Sequence, residues 1–98
     1  MGLPANKINM GYWAKIDDNN VVEWVIEADA DYIQSGAVGD PSKWLETSIT
    51  GEIRKNYAGI GYTYSAPLNC FYAPEPSGST GFDDSTCKWI LPAPSGSI

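Results

Sequence analysis

Eleven residues, Arg54-Lys55-Asn56-Tyr57-Ala58-Gly59-Ile60-Gly61-Tyr62-Thr63-Tyr64, hold the densest set of chemically useful side chains in the chain. Two cations could meet phosphates, two glycines could let a backbone close on a ligand, and three tyrosines could stack on bases. A phosphate loop is excluded. The Ala58-Gly59-Ile60-Gly61 run lacks the third glycine of a dinucleotide fingerprint and the Gly-Lys-Ser/Thr of a P-loop. No helical pattern follows that could offer its N-terminus to an anion. Base stacking by Tyr57, Tyr62 and Tyr64, with Arg54 and Lys55 on the backbone phosphates, fits the residue types better. Against it, Arg54 and Lys55 are two of only six cations in the chain. The simpler reading is scaffold. Gly59 and Gly61 then set the chain path, Tyr62 and Tyr64 pack on one face of a strand, and the two cations lie beside carboxylates of this chain or of a neighbour.

The acidic groups offer less. Asp29-x-Asp31 lacks the glycine and the glutamate that a calcium loop requires, so Asp17, Asp18, Asp29 and Asp31 read as turn and helix-cap residues. A carboxylate pair for glycoside hydrolysis needs a cleft. Trp13, Trp24, Trp44 and Trp89 are expected mainly in the core of so small a chain. The sequence has no histidine, which removes Ser-His and Cys-His nucleophile pairs and the commonest metal ligand. We therefore expect no catalytic, cofactor or metal site, and take Arg54, Lys55, Tyr57, Gly59, Gly61, Tyr62, Tyr64 and Trp89 as structural or interaction candidates.

These residues must be positioned by a small fold. Ninety-eight residues make one domain with one modest core. The net charge of -6 repels nucleic acid and anionic membranes, so neither is expected as a partner. No apolar run reaches the ~20 residues that span a bilayer. The opening residues carry neither the apolar core of a signal peptide nor a full myristoylation pattern, and Met10 could serve as an alternative start. Without a secretion signal, free thiols are the first expectation at Cys70 and Cys87, with a bridge that closes a short loop as the alternative.

Two β-rich runs, 11–16 and 21–28, flank the turn formers Asp17-Asp18-Asn19-Asn20 and predict a hairpin. The alternation in the second run predicts one buried face carrying Val22, Trp24 and Ile26. Residues 29–36 predict a short helix capped by Asp29 or Asp31 and ended by Gly36. A turn at Asp40-Pro41 should lead into a strand around Trp44–Thr47. Tyr62–Tyr64 should pair with 70–73 as a second hairpin. Five of the seven prolines lie after residue 66, so the last part reads as extended: 74–81 a linker by composition, 86–91 a short strand, and 92–98 a polyproline-like tail. The fold class expected is mainly β, a β-rich α+β domain with an N-terminal hairpin and one short helix. Its divisions are an arm at 1–9, the β-rich domain at 10–73 and the Pro/Gly-rich segment at 74–98. No internal repeat is visible.

Taken together, "RKNYAGIGYTY" (54–64), "FYAPEP" (71–76) and "STCKWILPAP" (85–94) resemble a family of short proteins of marine tailed bacteriophages, especially cyanophages. The hairpin "YWAKIDDNNVVEWVIEAD" (12–29) and the segment Trp44 to Ser48 are similar as well, so the resemblance spans about residues 10–92. Ser65 stands where the pattern usually has Asp, and "SGSTGFDD" (77–84) replaces a Pro-Tyr-Pro-Ser-Trp run. The resemblance implies a non-enzymatic structural role in a virion assembled in the host cytoplasm. Its partners would be the major capsid protein or other virion proteins, and a homo-oligomer on the particle is compatible with it. A decoration protein on the capsid exterior is the first expectation, and a tail, baseplate or fibre component the second. A small glycan- or nucleic-acid-binding module is the third.

Overall fold

A computed structural model describes residues 10–92. The proposed arm at 1–9 and the tail beyond Pro92 lie outside the described residues. The chain is strand-dominated, with an N-terminal β-hairpin and one short α-helix. Among the described residues three sheets form: a three-stranded one and two two-stranded hairpins.

The first hairpin joins β1 (Met10–Ile16) to β2 (Val22–Asp29). Its turn is built by Asp17, whose Oδ1 accepts the backbone N–H of Asn19 at 2.8 Å and of Val21 at 2.9 Å. Asn20 takes the left-handed conformation, φ 64, which Asn tolerates better than most residues. The helix α1 (Ala30–Gln34) follows at once, with Asp29 as N-cap accepting from the Tyr32 N–H at 2.8 Å and Gly36 at φ 83 beyond its end. After a 3-10 turn at Pro41–Lys43, β3 (Trp44–Thr47) pairs antiparallel with the other edge of β1. The sheet order is β2-β1-β3.

Both faces of this sheet are covered. On one, Ala14, Ile16 and Val22 pack with Ala58 and Phe71, flanked by Val25, Leu45, Tyr62 and Tyr64. On the other, Ala28 and Trp44 pack with Ile33 of α1, flanked by Trp13, Ile26 and Val38. The single buried face expected for β2 is thus corrected, and so is the place of Trp24. The register of β1 and β2 runs Lys15↔Trp24 and then Ile16↔Val22, leaving Glu23 as the extra residue of a bulge. One added residue reverses side-chain parity. Val22 therefore shares a face with Val25, while Trp24 falls on the opposite side, 56% exposed.

The second hairpin is β4 (Thr63–Ser65) with β5 (Cys70–Tyr72). The third is β6 (Gly81–Asp83) with β7 (Lys88–Ile90). The strand foreseen at 86–91 is therefore present in shorter form. Its partner β6 begins at Gly81, the last residue of the stretch read as linker.

Candidate functional site

The motif from Arg54 to Tyr64 is the joint at which the three sheets meet. Its second half runs beside the start of β2. The Val22 N–H donates to the Tyr62 carbonyl at 2.7 Å, Gly61 N–H donates to the Val22 carbonyl at 2.9 Å, and Tyr64 N–H donates to the Asn20 carbonyl at 2.8 Å. A single bridge, Val21↔Thr63, extends the first sheet into the second hairpin. Gly61 adopts φ +91, and a Cβ there would meet nothing within 4 Å, whereas a Cβ on Gly59 would lie 2.8 Å from Cε1 of Tyr62. Gly61 is needed for its backbone conformation and Gly59 for the ring laid on it.

The first half of the motif ties the joint to its surroundings. Arg54 and Lys55 both have positive φ, 57 and 70. This fold turns them with a hydrogen bond from Asn56 N–H to the Arg54 carbonyl, 2.8 Å. The Arg54 guanidinium donates to the Glu46 carbonyl at 2.8 Å and lies 5.9 Å from the centre of the Tyr64 ring. Lys55 Nζ donates to the Asp84 carbonyl at 3.2 Å. Within the chain, the contacts of these cations are to backbone carbonyls, which suit a donor holding a chain in place.

Sequence reasoning missed Asn56 and Thr47. The Asn56 side-chain amide lies within reach of the carbonyls of Phe71, Thr86 and Cys87, at 2.9, 3.0 and 3.0 Å, and so joins the second and third hairpins. The buried Thr47 hydroxyl accepts the Ala58 N–H at 3.0 Å and reaches the Asn56 carbonyl at 3.4 Å. Neither stands out in the sequence because both act on main chain far along the chain.

Cys70 and Cys87 form a disulfide, with Cα atoms 6.5 Å apart. The free thiols expected are corrected. Both residues are buried, and the pairing of β4 with β5 together with the Asn56 contacts brings the two sulfur atoms together. Beside the bridge, Trp89 donates from its indole N–H to the Ala73 carbonyl at 2.6 Å. It also packs edge-on against Phe82 and Tyr72, with ring centres 4.8 and 6.3 Å away. Trp89 is therefore half-buried and fixed, Trp44 is buried and Trp24 exposed, so the four tryptophans do not share one core.

At the joint lies a groove of ≈ 490 Å³, lined by Asn56, Tyr57, Tyr62, Pro74, Pro76 and Trp89 among others. Tyr57 lies at its lip, 37% exposed and edge-on to Tyr12. Among the described residues, no three His, Cys, Asp or Glu side chains gather to hold a metal ion, and no helix is long and apolar enough to cross a membrane. Of the eight candidate residues, the fold gathers Tyr57, Gly59, Tyr62 and Trp89 at the groove. Arg54, Lys55, Gly61 and Tyr64 serve the joint behind it. No family model, curated protein or solved structure matches the chain.

Proposed function

We propose that the chain is a non-enzymatic structural protein of a tailed phage particle, an accessory or decoration protein on the capsid exterior. The observation that carries this reading is the use made of the motif that resembles those of short phage proteins. Arg54 through Nη1, Lys55, Asn56, Cys87 and Trp89 each engage an internal main-chain or sulfur partner. That is the work of a scaffold. A disulfide and an aromatic cluster suit a small protein that must keep its shape outside a cell.

A density map of the whole particle, with the copy number measured by quantitative mass spectrometry, tests the proposal. The expected outcome is the chain on the head shell at a copy number comparable to that of the major capsid protein. Location on the tail or baseplate at low copy number would replace decoration by the second expectation. Absence from purified particles would end the particle reading altogether.

A further inference from the structure

The aromatic groove has the make-up of a surface for a proline-rich segment. Rings of Tyr57, Tyr62 and Trp89 stand around an open trough, and its walls at Pro74 and Pro76 are themselves rigid. Grooves walled by aromatic rings take polyproline-type chains because such chains are already extended and lose little freedom on docking. The chain carries a segment with two prolines: Leu91-Pro92-Ala93-Pro94-Ser95-Gly96-Ser97-Ile98. It begins directly after β7, which supplies Trp89 to the groove wall. Leu91 and Pro92 are exposed there. The segment also has no charged side chain, so it can approach another copy of an acidic protein without repulsion, and Lys88 lies in the groove wall it would meet.

We propose that this groove receives the segment Leu91–Ile98 of a second copy of the chain. The contact is heterologous, tail of one copy to groove of the next, so it propagates from copy to copy instead of closing as a two-fold dimer. It is independent of the particle reading, since a chain absent from every particle would still self-associate.

Sedimentation velocity of the full chain over a range of concentrations tests it. The expected result is growth beyond a dimer as concentration rises, reversed by a synthetic peptide of the sequence LPAPSGSI and unaffected by the same peptide with both prolines replaced by serine. Two variants separate the partners. Tyr57→Ser alters the groove lip, and Pro92→Ser with Pro94→Ser alters the tail while leaving the hairpins untouched. Each variant alone should weaken association by about tenfold or more. A mixture of the two should recover a dimer and nothing larger, because only one tail–groove pair remains intact. A wild-type chain that stays monomeric at every concentration overturns the proposal. So does association that survives both variants, and so does a groove that binds the peptide while the chain itself fails to associate. If Tyr57→Ser does not fold, the proline variant and the peptide competition still decide.

Discussion

Gly59 and Gly61 lie two residues apart and resist substitution for different reasons. At Gly61 the obstacle is φ +91 with open space around the missing Cβ. At Gly59 it is the Tyr62 ring, which a methyl group would meet at 2.8 and 3.0 Å. Gly61→Val should therefore cost about 1–3 kcal/mol from backbone strain, and Gly61→Asn should recover most of that, since Asn visits the left-handed region. Gly59→Ala should cost a similar ~1–3 kcal/mol from overpacking, and Gly59→Asn should give no recovery. Denaturant melts of the four variants check the pattern; equal tolerance of Asn at both positions would contradict it. Asn56→Asp is expected to be more damaging than its near-isosteric shape suggests, because it places a carboxylate oxygen against the carbonyls of Phe71, Thr86 and Cys87. Hydrogen bonds of this kind are worth about 1–3 kcal/mol when one partner is left unpaired. Melting temperature reads the loss.

Among the elements, the first hairpin, the capped helix and β3 were legible because their signals are local. Asp17 and Asn20 make the turn, Asp29 caps the helix, and a period of two marks the strands. The bulge at Glu23 was not legible, since an alternating pattern carries no mark of an inserted residue until the partner strand is known. Its consequence is a changed expectation for Trp24. Periodicity places Trp24 in a core, where truncation would cost about 3–5 kcal/mol. With Trp24 itself 56% exposed, Trp24→Ala should change stability by no more than about 0.5 kcal/mol, and a large drop in a chemical melt would contradict the register. The third hairpin was hidden for another reason. Its strands are three residues each, too short to hold alone, and they persist through Cys87, Trp89 and Phe82, which find partners only in the folded chain. The groove was half legible: Tyr57, Tyr62 and Trp89 stood out by type, whereas Pro74 and Pro76 read as linker. Cys70→Ala with Cys87→Ala should cost about 3 kcal/mol, lowering the melting temperature by about 10–20 °C. An unchanged melting temperature would mean that the aromatic cluster alone holds the third hairpin.

Across the whole molecule, acid should loosen the turns together. Asp17 is held below its ordinary value of 3.8 chiefly by the Val21 N–H, opposed by partial desolvation. Asp40 is lowered by the backbone and hydroxyl of Ser42, and Asp83 by the hydroxyl and backbone of Ser85. All three are carboxylates accepting hydrogen bonds within a loop or turn. A carboxylate whose folded pKa is depressed adds stability above its unfolded pKa and loses it as pH falls through the folded pKa. The melting temperature should thus be insensitive to these groups from neutral pH down to about pH 5 and decline below about pH 4. The triple variant Asp17→Asn, Asp40→Asn, Asp83→Asn should show a shallower acid limb, because Asn keeps an acceptor oxygen but does not titrate. An equally steep limb would assign acid sensitivity to other groups.

The Cys70–Cys87 bridge also decides how the chain bears load. Tension entering from the C-terminal side reaches Cys87, passes through sulfur to Cys70 and continues toward β4, whose Tyr64 packs against the core of the first sheet. The residues between them, including the aromatic cluster's Tyr72 and Phe82 and two walls of the groove, lie off the force path and stay slack. Stretched from its ends, the oxidised chain should therefore release about 50 Å less contour length than the reduced chain, given 17 residues of separation short-circuited by a single link. A partner pulling on Leu91 would load Lys88 and Trp89 on one wall of the groove, while Ala73, Pro74 and Pro76 on the other stayed off the covalent path.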